Sequence, residues 1–191
     1  VDYIGLSSSE LHGRNFDQET SRSAVGQPIG SFFVYEADGL FQSDAEIQNY
    51  KNDRGELLQP NAKPGDIRFK DLNGDGVINS DDRDFKGNPL PDCSMGLTLG
   101  FNYKNFDVSA FFQGVFGNEV YNLTNYLGEF YNQAQYNKNS TILDAWRPDN
   151  TDTDIPRVTL DDPNNNIRPS TYYIHNASFV RLKNLKVGYT L

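Results

Sequence analysis

Cysteine is nearly absent from this chain. Of 191 residues only Cys93 is a cysteine, which excludes an internal disulfide framework. Histidine is almost as scarce. His12 and His175 are isolated, so a catalytic triad with Cys93 as nucleophile and a His-rich zinc centre both lack their parts. No nucleophile elbow and no phosphate-binding glycine loop is present. Carboxylates are plentiful, so a pair of them close in sequence is no sign of glycoside chemistry; the expectation is a protein that is not an enzyme. Positive charge is in deficit: 17 Lys and Arg face 26 Asp and Glu, a net charge of −9 that makes nucleic acid a poor partner. No run of 18 apolar residues exists, so no transmembrane helix is expected. Signal and lipidation motifs are also lacking. The ends, Val1 and Leu191, fall in mid-pattern and give the chain the look of a piece of a longer one, so the lack of a leader says nothing about export.

What the chain does have is aromatic and turn-forming residues. Aromatics make up 13%, with 13 Phe and 11 Tyr, although mean hydropathy is only −0.65. A disordered chain would lack those rings. With so many Gly, Asn and Asp, the composition fits an all-β protein with long loops.

The densest stretch is residues 65–84. Asp71, Asn73, Asp75, Gly76, Val77, Asn79 and Asp82 fall at positions 1, 3, 5, 6, 7, 9 and 12 of a calcium loop. Alternate residues of a tight loop aim oxygens at one centre, and a hard cation takes six to eight of them. Side chains of Asp71, Asn73, Asp75 and Asp82 and the Val77 carbonyl are the candidate ligands, with Asn79 acting through a water. An empty Asn/Asp/Gly turn is the other reading. Upstream, Ile67 and Phe69 alternate with polar residues as a strand does. Downstream, Asp81 to Lys86 has room for one helical turn before Gly87 and Pro89. The flanking helices of an EF-hand are therefore not expected.

Other elements follow in order. Ser31 to Tyr35 reads as a strand. Ser43, with Glu46 three residues on, reads as the cap of a short helix. Met95, Leu97, Leu99, Phe101 and Tyr103 alternate with small and polar residues. After Lys104-Asn105 the alternation resumes through Phe106, Val108, Ala110, Phe112, Gly114 and Phe116. This predicts a β-hairpin over residues 94–116 with one apolar face. Strands of about ten residues suit a membrane barrel, and equally one hairpin of a soluble sandwich. A last strand is expected over 179–191, with Leu185, Val187, Tyr189 and Leu191 on one face. Two insertions, 37–93 and 117–178, would lie on one side as long outer loops, opposite the tight Lys104-Asn105 turn. A structureless polar connection as long as 117–178 counts against a compact soluble domain. Its rings, Tyr126, Tyr131 and Trp146 above all, could stack on sugar; packing within the loop or against a lid is the favoured reading. Tyr103, Phe106 and Phe116 suit an interfacial girdle in contact with membrane lipids, or plain cross-strand pairing.

Several stretches resemble the SusC/RagA family of TonB-linked outer-membrane transporters. They are Gly26-Gln27-Pro28-Ile29-Gly30-Ser31-Phe32, Asp38-Gly39-Leu40-Phe41-Gln42, and Pro64-Gly65-Asp66-Ile67-Arg68-Phe69-Lys70 running on to Gly76. Asp107-Val108-Ser109-Ala110-Phe111-Phe112-Gln113-Gly114, and Phe179 to Leu185 leading to Gly188-Tyr189-Thr190-Leu191, complete the set. Singly each is weak; in this order, over roughly residues 25–191, they are specific. The resemblance implies a fragment from the late part of a 22-stranded, plugged β-barrel. It implies import of oligosaccharides or peptides, energy from the TonB complex through a plug region outside this chain, and a SusD-like lipoprotein as cap. Calcium would then be structural, pinning an outer loop. A soluble calcium-stabilised β-rich adhesion or carbohydrate-binding module is the competing reading.

Overall fold

The structure is a computed structural model, and it describes residues 3–7, 19–129 and 137–190, with backbone alone at 3–7 and 19. Eleven strands are formed by the described residues, grouped in four sheets. Two of these sheets set the architecture.

The first is the expected hairpin extended by one strand. β7 (Cys93–Tyr103) and β8 (Phe106–Phe116) pair antiparallel without a break from Cys93↔Phe116 to Tyr103↔Phe106. The two-residue turn puts Lys104 at φ 53°, a left-handed conformation that tight hairpins require. β11 (Phe179–Tyr189) pairs with the other edge of β8. Apolar residues of β11 occur at 180 and 182, then at 185, 187 and 189, a slip of one residue in the alternation. The register absorbs the slip: Leu182 faces Phe112 and Asn184 faces Phe111, with Lys183 left over as a bulge. The extra residue returns Val180, Leu182, Leu185, Val187 and Tyr189 to one face. That face continues through Met95, Leu97, Leu99 and Phe101, each more than half exposed.

The second sheet, in order β1-β2-β3-β6, joins β1 (Tyr3–Ser7), β2 (Glu19–Ala24), β3 (Ser31–Tyr35) and β6 (Arg83–Gly87). β1 and β2 escape a sequence reading because Glu19-Thr20-Ser21-Arg22-Ser23-Ala24 carries no apolar alternation. β3 runs on into β4 (Ala37–Leu40), where the sequence suggested an end. β4 pairs with β5 (Ile67–Phe69). The helix at Ser43 forms as expected. α1 (Asp44–Asn49) is capped by Ser43 Oγ, which accepts the Glu46 N–H, while Glu46 Oε2 accepts the Gln42 N–H at 2.9 Å.

Residues 117–178, read as a long polar connection, are folded among the described residues. β9 (Glu119–Tyr121) leads to α2 (Leu123–Gly128), and β10 (Ile174–Asn176) returns to pair with β9. This segment packs on residues 37–93 to form one lobe. Tyr35 of β3 and Leu40, Ile67 and Phe69 from the first half meet Tyr126, Trp146 and Tyr173 from the second in a single buried cluster. The rings of this cluster come from both insertions.

Candidate functional site

The lobe is held by a polar joint that brings residues about a hundred positions apart into contact. Asp66 is fully buried. Its carboxylate accepts Arg157 Nε at 2.6 Å and Nη2 at 3.2 Å, Asn166 Nδ2 at 3.0 Å and the Lys63 N–H at 2.8 Å. A buried charge persists only when paired and fully hydrogen-bonded, and this one is both. The Gln59 amide bonds the edge of β5 that faces away from β4, donating to the Ile67 carbonyl and accepting the Phe69 N–H. Asn164 Nδ2 donates to the same carbonyl and to Asn166 Oδ1, which accepts the Ile67 N–H. Gly65 lets the two halves meet. Its φ is +88°, and a Cβ there would sit 2.5 Å from the Trp146 ring and 2.8 Å from Arg157 Cβ.

The 71–82 loop is ordered by its own amides. Asp71 accepts the Gly74 and Gly76 N–H groups at 2.7 and 2.8 Å. Asp75 accepts the Val77 N–H at 2.8 Å, and Asn73 and Asn79 Nδ2 at 3.1 and 3.3 Å. The Val77 N–H first, then Asn73, hold the Asp75 carboxyl below its ordinary range. Asp82 is fully buried and clasps both ends of the loop, accepting the Leu72 N–H at 2.8 Å and the Asn79 N–H at 2.7 Å. The Val77 carbonyl accepts Asn79 Nδ2 at 3.3 Å. The donor set is all oxygen, which suits a hard cation, and each ionised carboxylate keeps lone pairs beyond these bonds. Yet among the described residues no three His, Cys, Asp or Glu side chains gather around one point. Binding an ion needs the Asn73 and Asn79 amides to swing away from Asp75.

Of the rings weighed as sugar platforms, Tyr126 and Trp146 are packed inside the lobe. Tyr126 and Trp146 are 7% and 8% exposed, inside the core of the lobe. Trp146 Nε1 donates to Gln42 Oε1 at 2.9 Å, across the two halves. A buried ring offers no face to a solute, so both are packing residues. Tyr131 lies outside the described residues. The joint of Asp66, Arg157 and Asn166 was not legible in the sequence; Asn164-Asn165-Asn166 reads there as a solvated turn.

The three-stranded sheet can do something a soluble sheet cannot. Eleven residues at about 3.4 Å each, tilted by about 40°, project about 28 Å, close to the thickness of a bilayer's hydrocarbon core. The opposite face carries Ser94, Thr98, Asn102, Ser109, Gln113, Arg181 and Lys186, which need water. One face apolar, the other carrying the polar residues, and among the described residues a lobe at one end only: these features fit the wall of a transmembrane β-barrel.

Comparison with known proteins places that wall. Over 179 residues, 94% of the chain, it is 37% identical to a TonB-dependent receptor of Formosa agariphila. It is 30% identical over 188 residues to the TonB-dependent receptor SusC of Bacteroides thetaiotaomicron. The solved RagAB peptide transporter superposes on 99% of the chain with a TM-score of 0.60 and 26% identity. The chain spans only 17%, 16% and 18% of the lengths of these three proteins. No family model matches it. The chain belongs to the TonB-dependent receptors of the SusC/RagA type, as a segment of their outer-membrane β-barrel. The relatives favour this over the soluble module.

Proposed function

We propose that this segment serves a receptor that imports oligosaccharides or peptides across the outer membrane, driven by the TonB complex and capped by a SusD-like lipoprotein. The three 11-residue strands supply barrel wall, and the lobe of residues 37–93 and 117–178 supplies ordered outer surface. The observation that carries this reading is the lobe itself, continuous with a membrane-length sheet and present at one end of it only. The solved structure named the RagAB peptide transporter supports peptide as a substrate class; the oligosaccharide alternative and the lipoprotein rest on the family resemblance. The role is transport and not catalysis. Cells whose receptor lacks the lobe, with the barrel still assembled, should lose uptake of labelled oligosaccharide or peptide and fail to retain the lipoprotein on co-purification. Undiminished uptake and retention would sink this reading.

Calcium in the 71–82 loop is part of the same proposal. Asp71, Asn73, Asp75, the Val77 carbonyl and Asp82 would hold it, and the ion would neutralise three carboxylates and lock the loop. Adding calcium to chelator-treated full-length receptor should slow amide exchange across residues 71–82, and Asp75→Ala should remove the effect. Exchange that ignores calcium would mean that the amide bonds described above are the whole device.

A further inference from the structure

A cleft of about 190 Å³ opens where the two halves of the lobe meet. Ala37, Leu40 and Ile67 give it a hydrocarbon floor, Thr171 and Tyr172 a wall, and Asp154 its acidic rim. Gly39 also lines it, and the space beside its Cα is empty. At about 30 Å³ per water, the cleft holds roughly six waters, room for one long side chain or one ring.

Three features select the occupant. Tyr172 is fixed: its hydroxyl donates to Glu129 Oε2 at 2.6 Å, and its ring stands edge-on to Tyr173 at 5.1 Å. A locked aromatic wall costs a ligand little ordering. Asp154 is exposed, and among the described residues it has no ion-pair partner; no Lys, Arg or His lines the cleft. The surrounding chain is acidic, with a net charge of −9. A carboxylate, an aromatic wall and an aliphatic floor together match a cation on a hydrocarbon stem. A pyranose fits less well, because Thr171 Oγ1 already accepts the Ala37 N–H at 2.9 Å and the rest of the floor is carbon.

We propose that this cleft binds a lysine-type side chain of a peptide, with the ammonium at Asp154 and the stem over Ala37, Leu40 and Ile67. The site rests on the import reading for its purpose, and it selects peptide from the two substrate classes named there.

The test uses full-length receptor in detergent and two blocked tripeptides, Gly-Lys-Gly and Gly-norleucine-Gly, with maltotriose as a third probe, followed by calorimetric titration. The lysyl peptide should bind roughly three- to tenfold more tightly than the norleucyl one, the size of an exposed ion pair with an aromatic neighbour. Asp154→Asn, at an exposed position, should erase that preference. Ala37→Leu should fill the cleft and weaken both peptides. Equal binding of the two peptides, a lysine preference that survives Asp154→Asn, no binding of the lysyl peptide, or its displacement by maltotriose would each overturn the assignment. Failure of the import reading shows separately, as absent uptake by cells carrying the unaltered receptor.

Discussion

Asp66→Ala should release the two halves of the lobe from each other while the barrel strands stay intact. The substitution leaves the Arg157 guanidinium, the Asn166 amide and the Lys63 N–H without their common acceptor. Removing one partner of a buried, hydrogen-bonded pair costs about 3–5 kcal/mol. The Arg157 side chain is 19% exposed, so solvent softens the loss and the lower end, about 3 kcal/mol, is expected. At 1.4 kcal/mol per decade, amides of β5 and of residues 162–168 should exchange roughly 100-fold faster in full-length receptor. Amides of β7, β8 and β11 should be unchanged. The exposed pair Arg68–Asp38, at 3.0 Å, is the contrast: Asp38→Ala should cost less than about 1 kcal/mol. Equal effects of the two substitutions would show that the joint does not hold the lobe.

The second large effect is alkaline. Burial raises the phenols of Tyr121, Tyr126, Tyr172 and Tyr173 above their ordinary value of 10.0, and Tyr126 reaches about 12. At Tyr172 burial acts first, and the hydrogen bond to Glu129 adds to it. The sign follows from linkage. The fold favours the neutral phenols, so their contribution is complete below pH 10, the unfolded value, and is withdrawn as pH rises toward the folded values. For the fully buried Tyr173, each pH unit above 10 withdraws up to about 1.4 kcal/mol. The lobe should therefore open cooperatively on the alkaline side, with tyrosinate absorbance appearing late and steeply. Tyr173→Phe should move the onset to higher pH. Smooth titration near pH 10, identical in the variant, would contradict a buried tyrosine core.

The split between legible and hidden features follows the range of the forces involved. The hairpin was legible because a period of two over ten residues leaves one solution for which faces meet. The Ser43 cap was legible because the bonds from Ser43 and Glu46 span four residues. Even the bulge at Lys183 has a local trace, the slip from 182 to 185. Tyr126 and Trp146 were open between solute platform and packing, because sequence gives a ring's identity and not its neighbours. The Asp66–Arg157 pair, 91 positions apart, left no trace. A polar joint has no periodicity, and its members look like any solvated loop.

By itself, then, the sequence determined the strands of the barrel wall, the tight turn on one side, the amide-rich loop at 71–82 and the family motifs, all set by interactions within about a dozen residues. Only the tertiary structure decided that 37–93 and 117–178 are one body. Their buried cluster takes rings from both, and the charge that fastens them is stable only where both halves have excluded water around it.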